Sequence, residues 1–174
     1  MERRERLQAL LSETEAPRTG ADLAAEFGVT RQVIVQDMAV LRARGLPIVA
    51  TPQGYFLVKS HPHERSGRVF RVLTICHDEA EAELELLTLV DAGVEVQDVA
   101  VDHPIYGEFV AALMFASRRD VFAFVRRVRE QEAPLLLRLA DGVHRHTLAA
   151  REDGVIEEAV ASLGAAGLRV IDLR

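Results

Sequence analysis

The residues with the most chemical potential in this sequence are its histidines. In Val-His-Arg-His-Thr-Leu, residues 143–148, His144 and His146 are two apart, so on an extended strand both imidazoles leave the same face. Leu148 follows on that face, which makes it the inward one, while Arg145 and Thr147 point away. Two buried imidazoles need partners, because unpaired polar groups are costly to bury. A metal ion satisfies both at once, with neutral imidazole as ligand. A histidine-lined polar core or a solvated edge strand produces the same pattern. His77 ends a second strand-like run, and His103 ends a third on the face of Val99 and Val101. An acidic helical pattern follows His77, in which Glu81 and Glu85 lie one turn apart. Either carboxylate can complete a site of His and Glu ligands, and spacing does not choose between them. Cys76 sits between apolar neighbours and reads as a small buried residue.

The elements that must hold these groups follow from periodicity. Residues 68–76, 94–103, 106–115, 143–150 and 168–173 read as strands. Helical patterns fill 78–91, 117–131 and 153–166. The order βαββαβαβ implies an α+β sandwich, with helices packed on one sheet.

The first third of the chain has a different plan. Leu7, Leu10 and Leu11 recur at helical spacing in residues 2–13, and a turn follows through residues 15–18. Thr19 is placed to cap a second helix over 20–27, and Gly28 stands where a left-handed residue ends it. Thr30 caps a third helix over 31–44. Three short helices with a glycine-containing turn between the last two form a helix-turn-helix. Residues 46–50 and 55–58 are apolar runs around Thr51-Pro52-Gln53-Gly54, the pattern of a hairpin wing. In the third helix, Ile34, Met38 and Leu41 form the packing stripe. The opposite side carries Gln32 and Gln36, flanked by Val35, with Arg31 at its start beside Thr30. Glutamine pairs bidentately with adenine, valine suits a thymine methyl, and the arginine suits a phosphate or base edge. Thr30, Arg31, Gln32, Val35 and Gln36 are therefore the expected DNA-reading residues. A protein–protein module is the other use of such a unit.

Charge agrees with that division of labour. The net charge is −6, yet residues 1–59 carry eight basic and seven acidic side chains, against thirteen and twenty in residues 60–174. Phosphate contacts are thus expected from the first segment only. The polar segment 59–67, with His61 and His63 on either side of Pro62, reads as the boundary. This gives a winged helix-turn-helix over 1–59 and a metal- and ligand-binding domain over 66–174. With so balanced a charge, one copy binds DNA poorly. A homodimer that sets two helices in successive major grooves would supply the missing contacts. No run approaches the ~20 apolar residues of a membrane span. The charged amphipathic start is unlike a secretory signal, and a single cysteine suits a reducing compartment. A cytoplasmic protein is expected.

Together these motifs resemble a known family. His77 to Glu85 gives H-x7-E, Asp102 to Glu108 gives D-H-P-I-Y-G-E, and Gly142 to Thr147 gives G-V-H-R-H-T. Following a winged helix-turn-helix, this ordered set is similar to that of the niacin-responsive transcription repressors with a three-histidine (3H) domain, over nearly the whole chain. The resemblance implies a repressor of NAD-biosynthesis or niacin-uptake genes, with nicotinic acid as co-repressor and an operator in double-stranded DNA. It also implies a divalent transition metal (nickel, zinc or iron) on His77, Glu85, His144 and His146. His103 and Tyr106, from the second motif, become candidates for the ligand pocket. Two rival classes share these features: a metalloregulator for which the metal is the signal, and a metal-dependent enzyme fused to a DNA-binding domain. No serine or cysteine nucleophile and no glycine-rich phosphate loop stands in a recognisable setting, so no enzymatic activity is expected.

Overall fold

The computed structural model describes residues 3–14, 16–58 and 67–174. The chain forms two compact units, divided between residues 66 and 67. The expected linker, with His61 and His63, lies outside the described residues except at Gly67, as does residue 15 of the first expected turn.

In the first unit, α1 (Arg3–Glu13), α2 (Gly20–Phe27) and α3 (Arg31–Ala43) precede the hairpin strands β1 (Ile48–Thr51) and β2 (Gly54–Leu57). The caps are as the sequence requires. Thr19 accepts from the Asp22 amide and Thr30 from the Val33 amide, while Gly28 closes α2 at φ 63°. Leu7, Leu11, Leu23, Ile34, Met38, Leu41 and Ile48 pack into one small core. Each such side chain contributes about 1.5–3 kcal/mol on burial. Arg18 exchanges backbone hydrogen bonds with Tyr55, which joins the segment before α2 to the wing. Asp37 of α3, buried on the packing side, accepts from Arg3 Nε at 2.6 Å and from Arg4 Nε at 2.8 Å. The hydrogen bond from Arg3 holds the Asp37 carboxyl below its ordinary value, with Arg4 adding to the effect and burial opposing it.

The second unit is a five-stranded antiparallel sheet with helices. Its elements are β3 (Val69–Cys76), α4 (Ala82–Asp91), β4 (Glu95–His103), β5 (Gly107–Phe115), α5 (Arg118–Gln131), β6 (Val143–Ala150), α6 (Asp153–Ala165) and β7 (Arg169–Leu173). The order is βαββαβαβ and the class α+β, as expected. The strands lie in the order β5-β4-β6-β3-β7. Leu73 and Ile75 of β3, Val96 of β4, Phe115 of β5 and Leu148 of β6 face Leu86, Leu89, Val121, Ile156 and Leu163 of the helices. Of two short 3₁₀ turns, Glu79–Glu81 forms the start of the helix expected over 78–91, and Leu136–Ala140 lies outside the helices expected from periodicity. Among the described residues, no helix is long and apolar enough to cross a membrane.

Candidate functional site

Strand alternation carries the core face of the sheet directly into a polar cluster. On β3 the face of Leu73 and Ile75 continues to His77, and on β6 the face of Leu148 continues to His146 and His144. The register sets Leu73 opposite His146 and Ile75 opposite His144. All three histidines are buried, and Glu85 reaches them from α4 with a side chain 1% exposed. Of the two acidic candidates, it is Glu85 that enters this cluster. The Glu81 carboxylate turns back to accept from the Asp78 amide at 3.0 Å, capping its own helix start.

His77 Nε2 lies 2.7 Å and His144 Nε2 3.3 Å from Glu85 Oε2, and His146 Nε2 lies 3.3 Å from Glu85 Oε1. The ligand atoms of His77, Glu85 and His144 fall within 4.8 Å of one another. His146 extends this group through the second carboxylate oxygen. That oxygen is buried without a partner in hydrogen-bond geometry. Adjacent rings meet nearly edge to face, at 87° for both His77–His144 and His144–His146.

The far side of each ring is equally specific. His77 Nδ1 donates to the Asp78 carbonyl at 2.7 Å, His144 Nδ1 to the Gly142 carbonyl at 2.9 Å and His146 Nδ1 to the Asp98 carbonyl at 2.6 Å. A carbonyl only accepts, so all three Nδ1 atoms carry hydrogen and all three Nε2 atoms face the carboxylate. Unless protonated, those nitrogens are acceptors pointing at another acceptor. The arrangement calls for a cation, either protons or a metal ion. A transition metal with imidazole and carboxylate donors fits this set, and the carbonyls are the outer partners that such histidines require.

The electrostatics agree. Burial alone would raise the Glu85 carboxyl, but the positive potential of His146, with hydrogen bonds from His144 and His77, takes it well below the usual range. For His77 and His146, burial lowers the imidazole, and Glu85 outweighs it, so that both end above the ordinary value.

Gly142 is a contributor that sequence reasoning placed in a motif without a role. At φ 84° it adopts a conformation that side-chain-bearing residues avoid, and a Cβ there would lie 2.5 Å from the His77 carbonyl oxygen. Its own carbonyl accepts from both the His77 amide and His144 Nδ1. Asp98 was likewise not singled out. Its carbonyl orients His146, and its carboxylate accepts from the Thr147 amide at 2.9 Å.

His103 and Tyr106 lie apart from these groups in the contacts they make. The His103 Nδ1 accepts from the amides of Ile105 and Tyr106 at 3.2 and 3.3 Å, holding the β4–β5 turn. Its ring stacks on Tyr106 at 4.9 Å, and Tyr106 is 75% exposed. Their neighbours Asp102 and Pro104, rather than the two rings, line a cavity that also touches His144. Cys76 is half-buried rather than buried, because it lies on the sheet face away from the helices, with its Sγ 3.9 Å from the Asp141 carbonyl. In the first unit, Arg31, Gln32, Val35 and Gln36 are all exposed on α3, and Thr30 serves as its cap.

Comparison with known proteins gives this geometry a family. Residues 70–172 match the 3H domain and residues 3–56 match an HTH domain. Transcription repressor NadR of Bacillus subtilis is 39% identical over 172 residues, covering 98% of this chain and 94% of its own. The Thermotoga maritima protein named "Probable transcription repressor NiaR" is 39% identical over 171 residues, covering 97% and 95%. The buried histidines and Glu85 lie inside the matched segment, and the chain belongs to the 3H-domain family, with an HTH domain ahead of it.

Proposed function

We propose that this chain is a transcription repressor of NAD metabolism that binds operator DNA as a homodimer and takes nicotinic acid as co-repressor at a metal-containing second domain. The observation that carries the sensor half is the convergence of three Nε2 atoms on one buried carboxylate, each ring held from behind by a backbone carbonyl. His77, Glu85, His144 and His146 would hold the ion, and a divalent transition metal is the class that suits them. It would supply a Lewis-acidic position for a pyridine nitrogen or carboxylate. The two relatives, named as repressors, support the regulatory half and point to a regulator rather than an enzyme.

In the DNA-binding half, Arg31, Gln32, Val35 and Gln36 form the reading face of α3, with Thr30 fixing the helix start. His103 and Tyr106, which flank the cavity-lining Pro104 in sequence, are proposed as rim groups for the ligand. An operator fragment obtained by selection from random DNA tests the whole reading. With protein of measured metal content, nicotinate is expected to tighten binding at least fivefold, the lower end of ordinary allosteric coupling. The His144→Ala, His146→Ala double variant should lose that response. Equal operator affinity with and without nicotinate would sink the co-repressor role. Affinity that followed metal alone would instead make the ion the signal.

A further inference from the structure

A cavity of about 390 Å³ opens where β4 ends and β6 begins, within the ~300–1,000 Å³ span of small-molecule sites. Val101, Leu139 and Val143 give it apolar walls, and His144 of the buried cluster is part of its lining. Among the described residues its one arginine or lysine is Arg145, the residue between the two β6 histidines, which strand alternation turns away from them. The Arg145 guanidinium is already engaged. Its two terminal nitrogens take the two oxygens of Asp102 in a bidentate pair, the second contact at 3.1 Å, and Glu108 lies 3.3 Å away.

The partners differ in their hold on solvent. The Arg145 side chain is 29% exposed, whereas that of Asp102 is 67% exposed. An ion pair with so exposed a member is worth little, because water solvates the freed carboxylate almost as well. A ligand carboxylate seated in the cavity can therefore take the place of Asp102 at modest cost. There it would meet the planar, two-pronged donor that suits carboxylates best. With Asp141 as its second acidic lining residue, the cavity has no arginine or lysine other than Arg145 among the described residues to receive such an anion.

We infer that the cavity beside His144 binds a flat aromatic carboxylate whose carboxyl group is received by Arg145, and that Asp102 is an internal stand-in for that group, displaced on binding. The inference rests on the niacin-sensing reading and locates its ligand. It makes Asp102 a competitor, so the two halves of one ion pair must respond in opposite directions.

The test is calorimetric titration of the full chain, of measured metal content, with nicotinate and with the uncharged nicotinamide. Arg145→Gln is expected to weaken nicotinate at least tenfold, as loss of a charge-assisted pair does. Asp102→Asn should tighten it severalfold. Both changes should move nicotinamide far less than nicotinate, and neither should alter the bound metal per chain. Retained metal also shows that the Arg145→Gln chain has folded. Should both variants weaken nicotinate alike, or neither alter it, the pair is structural and the inference fails while niacin sensing stands. If the wild type binds neither compound, the sensing reading fails first and takes this assignment with it.

Discussion

With each Nδ1 hydrogen committed to a backbone carbonyl, the three imidazoles when neutral can offer only Nε2 lone pairs to Glu85, which itself only accepts. The carboxylate charge is what makes the cluster attractive to a cation. Glu85→Gln keeps nearly the same volume and removes that charge, placing an amide amid three ring nitrogens. The expected outcome is at least a tenfold loss of metal affinity, since even changes to outer partners of such ligands cost 10–100-fold. Competition titration with a colorimetric chelator reads this directly. Undiminished loading of the Gln variant would remove Glu85 from the ligand set. Sequence made part of this cluster legible. The i, i+2 spacing of His144 and His146 set them on one inward face, because strand alternation is strictly local. The choice of Glu85 over Glu81 was not available from spacing, since one turn of helix leaves both on the same side. What separates them is the 3₁₀ start at Glu79–Glu81, which turns Glu81 back onto the Asp78 amide.

At the scale of elements, α3 carries two faces with opposite demands. Its packing stripe includes Asp37, three residues after Ile34 and one before Met38, and its outer side presents Arg31, Gln32 and Gln36. Periodicity identified the apolar members of the stripe. The partners of Asp37 are Arg3 and Arg4, more than thirty residues away, and no local pattern reveals a contact of that range. The pair fastens the reading helix to α1. Because Arg3 holds the folded-state carboxyl below its ordinary value of 3.8, the linkage is stabilising above that value. It is lost as pH falls through the lower folded value. Asp37→Asn should cost the first unit about 1–2 kcal/mol at neutral pH, the scale of a charge-assisted bond to a half-exposed partner. The difference from wild type should shrink below about pH 4, near the unfolded carboxyl value. Thermal unfolding followed at several pH values checks both, and a gap that persisted into acid would refute the ion-pair account. The order of elements in the second unit was also legible, because each strand and helix is long enough to show its period. The 3₁₀ turn Leu136–Ala140 was not, being too short to show one.

For the whole molecule, the net charge of −6 limits how the chain can hold a polyanion. In residues 1–59 eight basic side chains barely outnumber seven acidic ones, and Arg18, for instance, is paired with Glu26 at 2.6 Å. If α3 reads DNA as proposed, affinity should show a shallow dependence on salt. The logarithmic slope measures released counterions at roughly 0.9 per phosphate contact. Arg31→Ala should weaken binding to every sequence alike, whereas Gln36→Ala should erase roughly 1–3 kcal/mol of preference at one base pair. Fluorescence anisotropy on a matched and a mismatched duplex separates these effects. A Gln36 variant that discriminated as well as wild type would take that side chain off the base edges. The charge split between segments was visible in the sequence because it needs only counting.

The pairing of β3 with β6 also bears on how the sheet can go wrong. If β6 slipped by one residue, Val143, Arg145 and Thr147 would replace His144 and His146 on the helix side, with most ladder bonds still available. Such a mispaired sheet loses two of the four groups proposed to hold a cation, and it would bury an arginine among leucines. The ion proposed between β3, β6 and α4 would thus distinguish the native alignment from its nearest competitor, and would serve as a proofreader of strand assembly as well as a part of any sensor.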